Sequence, residues 1–346
     1  MRITVKTPAA LLASLLLTAV HAAGSADPWA VNGGPLRIEG PREAAGVVQR
    51  WVAGFTKQHP RIPVEVHLRG TDVGLGALTT GRADIALAGR EAAPQEMKGF
   101  EWIYRYRPTA VEVMSGSLDH PGRSPALAVL VHRDNPLQAI SLEQLKGLFH
   151  AGDSDDGHSR RLETWGDLGL SGIWLRRNIT LYLPSIESGT GVFFRGKVLA
   201  DARALPWQRL TEIEDSALVG PGQHDAAQRL AAAVARDTHA IAVAPMSAPL
   251  PRTVRVVPLS DGGEAILPTA ATVIAPTYPL ARTVRAYVNV APAQPIDPAR
   301  VHPLDPRVKA FLHYMLSPDG QHDVEMDAEY LPLGARRAIA QADLLR

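Results

Sequence analysis

The sequence predicts an α/β protein with two lobes and a ligand cleft between them. The chain has 346 residues, which is longer than a single hydrophobic core ordinarily supports, so two domains are expected. Strand-like and helix-like segments follow one another in the order β-α-β-α-β, which predicts a parallel sheet covered by helices. A second series of the same kind follows along the chain, and clefts between domains are favoured ligand sites.

Residues 1–23 are expected to be a secretory signal peptide and not part of the fold. Two positive charges, Arg2 and Lys6, precede an apolar run from Ala9 to Val20 that is too short to span a membrane. The small residues Ala22-Ala23 then follow, at the positions that a signal peptidase recognises. The alternative is a buried N-terminal helix. The signal peptide predicts a periplasmic protein.

The first series of elements starts soon after this segment. Its predicted elements are a strand at 36–39, a helix at 44–58, a strand at 64–68, a helix at 72–80 and a strand at 83–88. The first helix has apolar residues at i, i+3 and i+4 spacings, and Pro60 ends it. In a parallel sheet of this kind, ligands are expected at the carboxyl ends of the strands.

The second series continues the alternation. Its predicted elements are a strand at 127–132, a helix at 141–149, a strand at 178–183, helices at 189–201 and 225–236, and a strand at 240–244. A strand at 284–290 and a helix at 306–316 come later, and the segments 118–125, 152–161 and 291–303 are predicted to be loops. We therefore assign residues 35–128 with 246–346 to lobe 1 and residues 129–245 to lobe 2.

Composition and motifs argue against several classes of function. The 36 Lys and Arg residues nearly balance the 35 Asp and Glu residues, so there is no excess of positive charge to indicate nucleic-acid binding. There is no Cys, which excludes a lipoprotein cysteine, a disulfide or a thiolate metal site. The His residues follow no metal-binding pattern, and no cofactor is expected. Ser188 lacks the Gly-x-Ser-x-Gly elbow of a hydrolase, so we do not expect an enzyme.

The segment Ser188-Gly189-Thr190 is the best candidate for a binding site. It follows a predicted strand and opens a predicted helix, so that hydroxyls and free N–H groups meet where the helix dipole is positive. Such a helix start binds anions without a charged side chain. The alternative is an ordinary N-cap, in which the side chain binds the N–H groups of its own helix, and sequence alone favours that alternative.

Three other strand-to-helix turns contribute candidates. Thr71 follows the second strand and either caps a helix or contacts an anion. Arg42 follows the first strand and Arg90 the third, and a guanidinium group suits an oxyanion. The alternative for Arg42 is a solvated side chain, and for Arg90 a local ion pair with Glu91 or a charge at the rim.

Short motifs in a consistent order resemble a known family along nearly the whole chain. They include Trp51-Val52-Ala53-Gly54-Phe55, Gly81-Arg82-Ala83-Asp84-Ile85-Ala86, Asp134-Asn135-Pro136-Leu137, Thr164-Trp165-Gly166-Asp167-Leu168, Ser188-Gly189-Thr190, Tyr278-Pro279-Leu280-Ala281-Arg282 and Leu316-Ser317-Pro318-Asp319-Gly320-Gln321. With these motifs the chain resembles the periplasmic phosphate-binding proteins of phosphate ABC transporters. The resemblance implies the two-lobed periplasmic-binding-protein fold of type II, an oxyanion in the cleft, delivery to an inner-membrane ABC permease, and a monomer by analogy of fold.

The chain departs from the family in the ligand shell. In the family the first turn usually has the sequence Gly-Ser-x-Thr. Here it is Gly40-Pro41-Arg42-Glu43, which lacks both hydroxyls and adds the carboxylate of Glu43. The second turn keeps one hydroxyl, in Thr71. Gly89 stands where the family has an Asp or Ser, and Pro184 stands where it has an Arg before Ser-Gly-Thr. The resemblance therefore leaves Ser188, Gly189, Thr190, Thr71 and Arg90 as ligand residues, and Arg42 or Arg90 would have to compensate for the lost Arg and hydroxyls.

These departures leave two functions open. The first is an exported protein that binds phosphate or a related oxyanion for an ABC transporter. The second is a periplasmic interaction or sensor protein that has kept the fold and lost tight phosphate binding. A third function, an exported hydrolase that uses Ser188 or a His, has no complete catalytic pattern behind it.

Overall fold

The computed structural model describes residues 34–151, 161–199, 205–214, 225–291 and 303–345. The expected signal peptide lies outside the described residues, as do most of the expected loops at 152–161 and 291–303. Within the described part, the alternation of strands and helices predicted from the sequence is confirmed. The strands form two five-stranded sheets and one two-stranded sheet.

The first sheet collects the strands of the first series and one late strand. Its strand order is β2-β1-β3-β12-β4. These strands are β1 Leu36–Gly40, β2 Val64–Leu68, β3 Ile85–Ala88, β4 Thr109–Ser115 and β12 Thr283–Val288. The pairs β1–β2 and β1–β3 are parallel as expected, whereas β12 runs antiparallel to both β3 and β4.

The second sheet has the strand order β10-β5-β9-β7-β8. Its strands are β5 Leu127–His132, β7 Thr180–Pro184, β8 Leu210–Ile213, β9 Ala240–Pro245 and β10 Val254–Val257. The strands β7, β8 and β9 are parallel, and β5 and β10 are antiparallel additions. The short strands β6 Ile140–Ser141 and β11 Leu259–Ser260 pair separately.

Helices cover both sheets. They are α1 Ala45–Gln58, α2 Thr71–Thr79, α3 Pro94–Tyr104, α4 Leu142–Phe149, α5 Gly189–Phe194, α6 Ala226–Arg236, α7 Ala270–Ile274, α8 Pro306–Leu316, α9 Pro318–Asp327 and α10 Ala335–Asp343. The apolar stripe predicted for α1 is buried, with Trp51 and Phe55 fully inaccessible. The Trp51 Nε1–H donates to Gly320 O at 2.8 Å, so α1 is joined to α9 by a buried hydrogen bond.

Several elements differ from the expectation. The helix predicted at 189–201 is α-helical only to Phe194 and continues as a π-helical turn, Arg195–Leu199. The strand β4 and the helix α3 were not predicted, nor were β8, β10, α9 and α10. The division into lobes remains a prediction, although β10 joins the second sheet and lies beyond the predicted limit at residue 245.

Two segments connect the sheets, and they lie side by side. Residues 116–126 lead from β4 to β5, and residues 261–282 lead from β11 back to β12. Gly116 N–H donates to Arg282 O at 2.9 Å, and Leu127 N–H donates to Leu280 O at 3.1 Å. The buried hydroxyl of Tyr278 donates to Leu127 O at 2.8 Å. These paired connections bring Arg282 to the junction of the two sheets.

Candidate functional site

A cleft of about 730 Å³ lies between segments that belong to the two sheets. One wall is built from the turns that follow β1, β2 and β3, and the other from the turn before α5, the start of α6 and the end of β9. Both walls therefore use the carboxyl ends of parallel strands, where α/β sheets bind ligands. The predicted candidates Ser188, Gly189, Thr190, Thr71 and Arg90 all line this cleft.

Ser188 acts as the N-cap of α5. Its Oγ accepts a hydrogen bond from Gly191 N–H at 3.0 Å and donates to Ser185 O at 2.6 Å. The hydroxyl proton of Ser188 is thus committed to the turn, as in the capping alternative. Gly189 and Thr190 open the helix, where N–H groups have no acceptor within their own helix.

Arg282 is the most distinctive group of the cleft. Its side chain contacts both walls, because it donates to Gly89 O at 2.8 Å on one side and to Thr190 Oγ1 at 3.2 Å on the other. A third, longer bond at 3.4 Å reaches Gly189 O. The residue is only 5% exposed, and its guanidinium carbon lies 5.2 Å from the centre of the Phe193 ring.

The charge of Arg282 is not neutralised by any described residue. None of its hydrogen bonds goes to a carboxylate, and its buried Nε has no hydrogen-bond partner in the part of the chain that the structure describes. Burial, with a smaller contribution from the nearby charge of Arg90, lowers the pKa of Arg282 to about 10. The guanidinium is still charged at neutral pH, and a buried unpaired charge is costly unless an anion joins it.

The direction of β12 explains why sequence reasoning missed Arg282. Because β12 is antiparallel to β3, with Arg285 opposite Ala88, the residue before β12 lies beside the residue after β3. A strand read as parallel to its neighbours has its first residues at the opposite edge of the sheet, away from the ligand. The sequence offered two signals, an Arg just before an apolar strand and the motif Tyr278-Pro279-Leu280-Ala281-Arg282, which ends at this residue.

Arg90 lines the cleft and is already paired. It forms a bidentate salt bridge with Glu96, with N–O distances of 2.7 and 2.8 Å, and a second salt bridge with the exposed Asp72. Hydrogen bonding to Glu96 is the main reason that the pKa of Arg90 is raised. The local ion pair expected as the alternative for Arg90 is therefore present, with Glu96 and Asp72 and not with Glu91 as partners.

Thr71 and Arg42 have different positions. Thr71 is the first residue of α2 and lines the cleft. Arg42 lies in a 3₁₀ turn at Arg42–Ala44, is exposed and is not among the residues that line the cleft. Arg42 therefore has the solvent-exposed side chain that was the alternative to a ligand role, whereas its neighbour Glu43 lines the cleft.

Gly89 is explained by a close approach of the connecting segment. A Cβ atom at residue 89 would lie 2.0 Å from Ser124 Oγ, so any larger residue would collide with Ser124. Ser124 is buried, has a positive φ of 49° and lines the same cleft. Its hydroxyl therefore occupies the space that a side chain at residue 89 would fill.

Among the described residues, three other features are absent: a histidine base at the cleft, a metal site and a membrane-spanning helix. No histidine is among the described residues that line the cleft, so no histidine base lies beside Ser188 there. No three His, Asp or Glu side chains of the described residues are arranged to hold a metal ion. No helix in the described ranges combines the length and the apolar character that crossing a membrane requires.

Comparisons with known proteins agree with this architecture. A model of the PBP superfamily domain matches residues 25–319. The phosphate-binding protein PstS of Pseudomonas aeruginosa is 28% identical over 307 residues, which cover 88% of this chain and 85% of that protein. The phosphate-binding protein PstS of Staphylococcus haemolyticus is 23% identical over 167 residues, which cover 48% of this chain and 46% of that protein.

Solved structures show the same fold. PstS from Borrelia burgdorferi aligns with a TM-score of 0.54 and 14% identity over 86% of this chain and 98% of that one. An ABC-type phosphate transport receptor from Vibrio cholerae aligns with a TM-score of 0.51 and 18% identity over 86% of this chain and 99% of that one. The resemblance and the two-lobed fold predicted from the sequence are thereby confirmed, and the chain belongs to the PBP superfamily.

Proposed function

We propose that this protein captures phosphate or a related oxyanion in the cleft and delivers it to an ABC permease of the inner membrane. We further propose that it works in the periplasm, as a monomer, and binds without catalysis. Arg282 carries the proposal, since it is a buried guanidinium group at the cleft with no carboxylate partner among the described residues. A bound oxyanion would supply the missing negative charge.

Thr190 is the second group that we assign to the anion. Its Oγ1 accepts from Arg282, so its own hydroxyl proton is available to donate into the cleft. The N–H groups of Gly189 and Thr190 add donors at the positive end of α5. Ser188 holds this turn in place through its cap and is assigned a supporting role.

Arg282 and Ser124 each account for one departure from the family pattern. Pro184 is buried at the end of β7 and brings no charge, but Arg282 provides a guanidinium at the same helix start. Ser124 supplies a hydroxyl where Gly89 has no side chain. A charge-assisted hydrogen bond contributes about 1.5–3 kcal/mol, so one such replacement offsets roughly one to two orders of magnitude in affinity.

The names of the relatives support the transport assignment. The Pseudomonas aeruginosa protein that matches most of this chain is a phosphate-binding protein. A protein of this class has to release its ligand to a membrane partner, and a cleft between two walls suits closure around the ligand followed by opening.

Calorimetry of the purified protein with phosphate and with sulfate tests the proposal. We expect binding of at least one of these anions and a loss of affinity of at least tenfold in Arg282→Met. The matched control is Arg42→Met, since Arg42 is exposed and outside the cleft lining, and it should bind like the wild type. A folded wild-type protein that gives no heat with either anion would contradict the proposal.

The second candidate function is a periplasmic interaction or sensor protein with the same fold. It is favoured by Glu43 and Glu187, two carboxylates at the cleft that would repel a free anion. Absence of anion binding in the calorimetric test would support this function.

A further inference from the structure

The charges that line the cleft are predominantly negative. Among the described residues, five carboxylate residues contribute to the lining, against two arginines, Arg90 and Arg282. The carboxylate residues are Glu43, Asp72, Glu96, Glu187 and Asp225. A free inorganic dianion that entered this cleft would be attracted by Arg282 and repelled by those carboxylates that have no cationic partner among the described residues.

Three of these carboxylates already have hydrogen-bond or salt-bridge partners within the protein. Asp72 and Glu96 both bind Arg90. Asp225 caps α6 by accepting from Gln228 N–H at 2.8 Å, and Ser247 Oγ lies 3.5 Å from its second oxygen. Pairing therefore cancels the charge of Arg90 and leaves Arg282 as the cation with which an anionic ligand interacts.

Glu43 and Glu187 form no ion pair with a described Lys, Arg or His residue, and they come from opposite walls. Glu43 follows β1, on the side of the first sheet, and Glu187 precedes α5, on the side of the second sheet. Glu43 packs against the connecting segment, since a Cβ atom at Gly122 would lie 3.0 Å from its Cγ. Glu187 is exposed.

The cleft thus combines a buried cation with carboxylates on both walls. We propose that its ligand is a small zwitterion, with a phosphonate or phosphate monoester head at Arg282 and Thr190 and a primary ammonium group at Glu43 and Glu187. This inference rests on the proposed oxyanion function and specifies its ligand class. The volume of about 730 Å³ lies in the range of roughly 300–1,000 Å³ that is typical of clefts for small organic ligands.

The ammonium end provides an energetic advantage that inorganic phosphate lacks. A charged group held between two carboxylates gains charge-assisted hydrogen bonds, and it converts their repulsion of the anionic head into attraction of the whole molecule. Discrimination between a zwitterion and an anion of the same shape then depends on Glu43 and Glu187, and not on Arg282, which contacts the head in both cases.

Calorimetry with three probes tests the ligand class: 2-aminoethylphosphonate, ethylphosphonate and inorganic phosphate. We expect 2-aminoethylphosphonate to bind at least tenfold more tightly than ethylphosphonate, which has the same head and no ammonium group. The variants Glu43→Gln and Glu187→Gln should reduce this preference several-fold. The matched control is Glu264→Gln, an exposed residue outside the cleft lining, which should keep the preference.

Each outcome separates the two proposals. Equal or tighter binding of ethylphosphonate or phosphate would overturn the zwitterion and leave the oxyanion function standing. No binding of any of the three probes to folded protein would overturn both proposals. A preference for 2-aminoethylphosphonate that survives in the double variant Glu43→Gln/Glu187→Gln would overturn the assignment of these carboxylates.

Discussion

At the scale of the residue, the behaviour of the cleft depends on which polar groups already have partners. Arg90 and Arg282 are both guanidinium groups at the cleft, but Arg90 binds two carboxylates, whereas Arg282 binds only carbonyl and hydroxyl oxygens. The two hydroxyls differ in the same respect. The Ser188 hydroxyl donates within its own turn, whereas the Thr190 hydroxyl accepts from Arg282. Residue type alone therefore does not identify the groups that are available to a ligand.

The division between the two hydroxyls gives a first prediction. Thr190→Val should lower the affinity for the anion at least tenfold, because the variant loses a hydroxyl donor that no group of the described residues uses. Ser188→Ala should lower affinity much less and should mainly lower the free energy of unfolding, by about 1 kcal/mol, because it removes a helix cap. Calorimetry and urea unfolding on both variants measure the two effects. Equal losses of affinity would contradict this division of roles.

The contact between residue 89 and Ser124 gives a second prediction. Gly89→Ala places a Cβ atom 2.0 Å from Ser124 Oγ and should lower the free energy of unfolding by roughly 1–3 kcal/mol through overpacking. In Gly89→Ala/Ser124→Gly the obstacle is gone, and glycine tolerates the positive φ of residue 124, so most of the stability should return. Urea unfolding of both variants and of Ser124→Gly, the matched control, checks this. A double variant as unstable as Gly89→Ala would contradict the explanation.

At the scale of the element, the cleft uses the starts of helices that follow strands. The turn before α5 and the turn before α4 have the same chemistry, since Ser188 caps one and Ser141 caps the other. They differ in position: α5 opens into the cleft, while Ser141 forms a complete capping box with Gln144 and is not among the cleft-lining residues. The same local signal thus has a structural role in one place and a role at the ligand site in the other.

This comparison gives a third prediction. Ser141→Ala should cost about 1 kcal/mol of unfolding free energy, as Ser188→Ala does, because each loses one N-cap. A saturating anion, at about one hundred times its Kd, should stabilise Ser141→Ala by the same amount, about 2.7 kcal/mol, as the wild type. Urea unfolding with and without the anion measures this. A reduced gain in Ser141→Ala would show that α4 is coupled to the site.

At the scale of the whole molecule, Arg282 joins the two walls of the cleft. It reaches Gly89 O after β3 and Thr190 at the start of α5, and its own backbone belongs to the paired segments that connect the sheets. A ligand that binds Arg282 therefore contacts a side chain that already reaches both walls. Binding should restrict the two walls together, as expected for closure about a hinge.

Hydrogen exchange checks this coupling and is the fourth prediction. Addition of the anion should slow amide exchange in segments 89–93 and 188–194 together, because both walls then close on the same ligand. The segment 142–149, which forms α4 away from the cleft lining, serves as the internal control and should be unchanged. Protection of only one wall would contradict closure of the cleft.

The sequence by itself determined the two-lobed α/β class, the strands and helices of both series and the turn at Ser188, because periodicity and capping are local properties of the chain. It also placed Thr71 and Arg90 at the cleft, since both follow strands whose direction was expected correctly. The elements β4 and α10 were not predicted, although the alternation Val111-Glu112-Val113 and the amphipathic character of α10 are local signals for them. Arg282 depends on the antiparallel course of β12, the pairing of Arg90 depends on Glu96 and Asp72, and Gly89 depends on Ser124. These are contacts between distant parts of the chain, which local signals do not encode, so only the tertiary structure decided which charges remain available to a ligand.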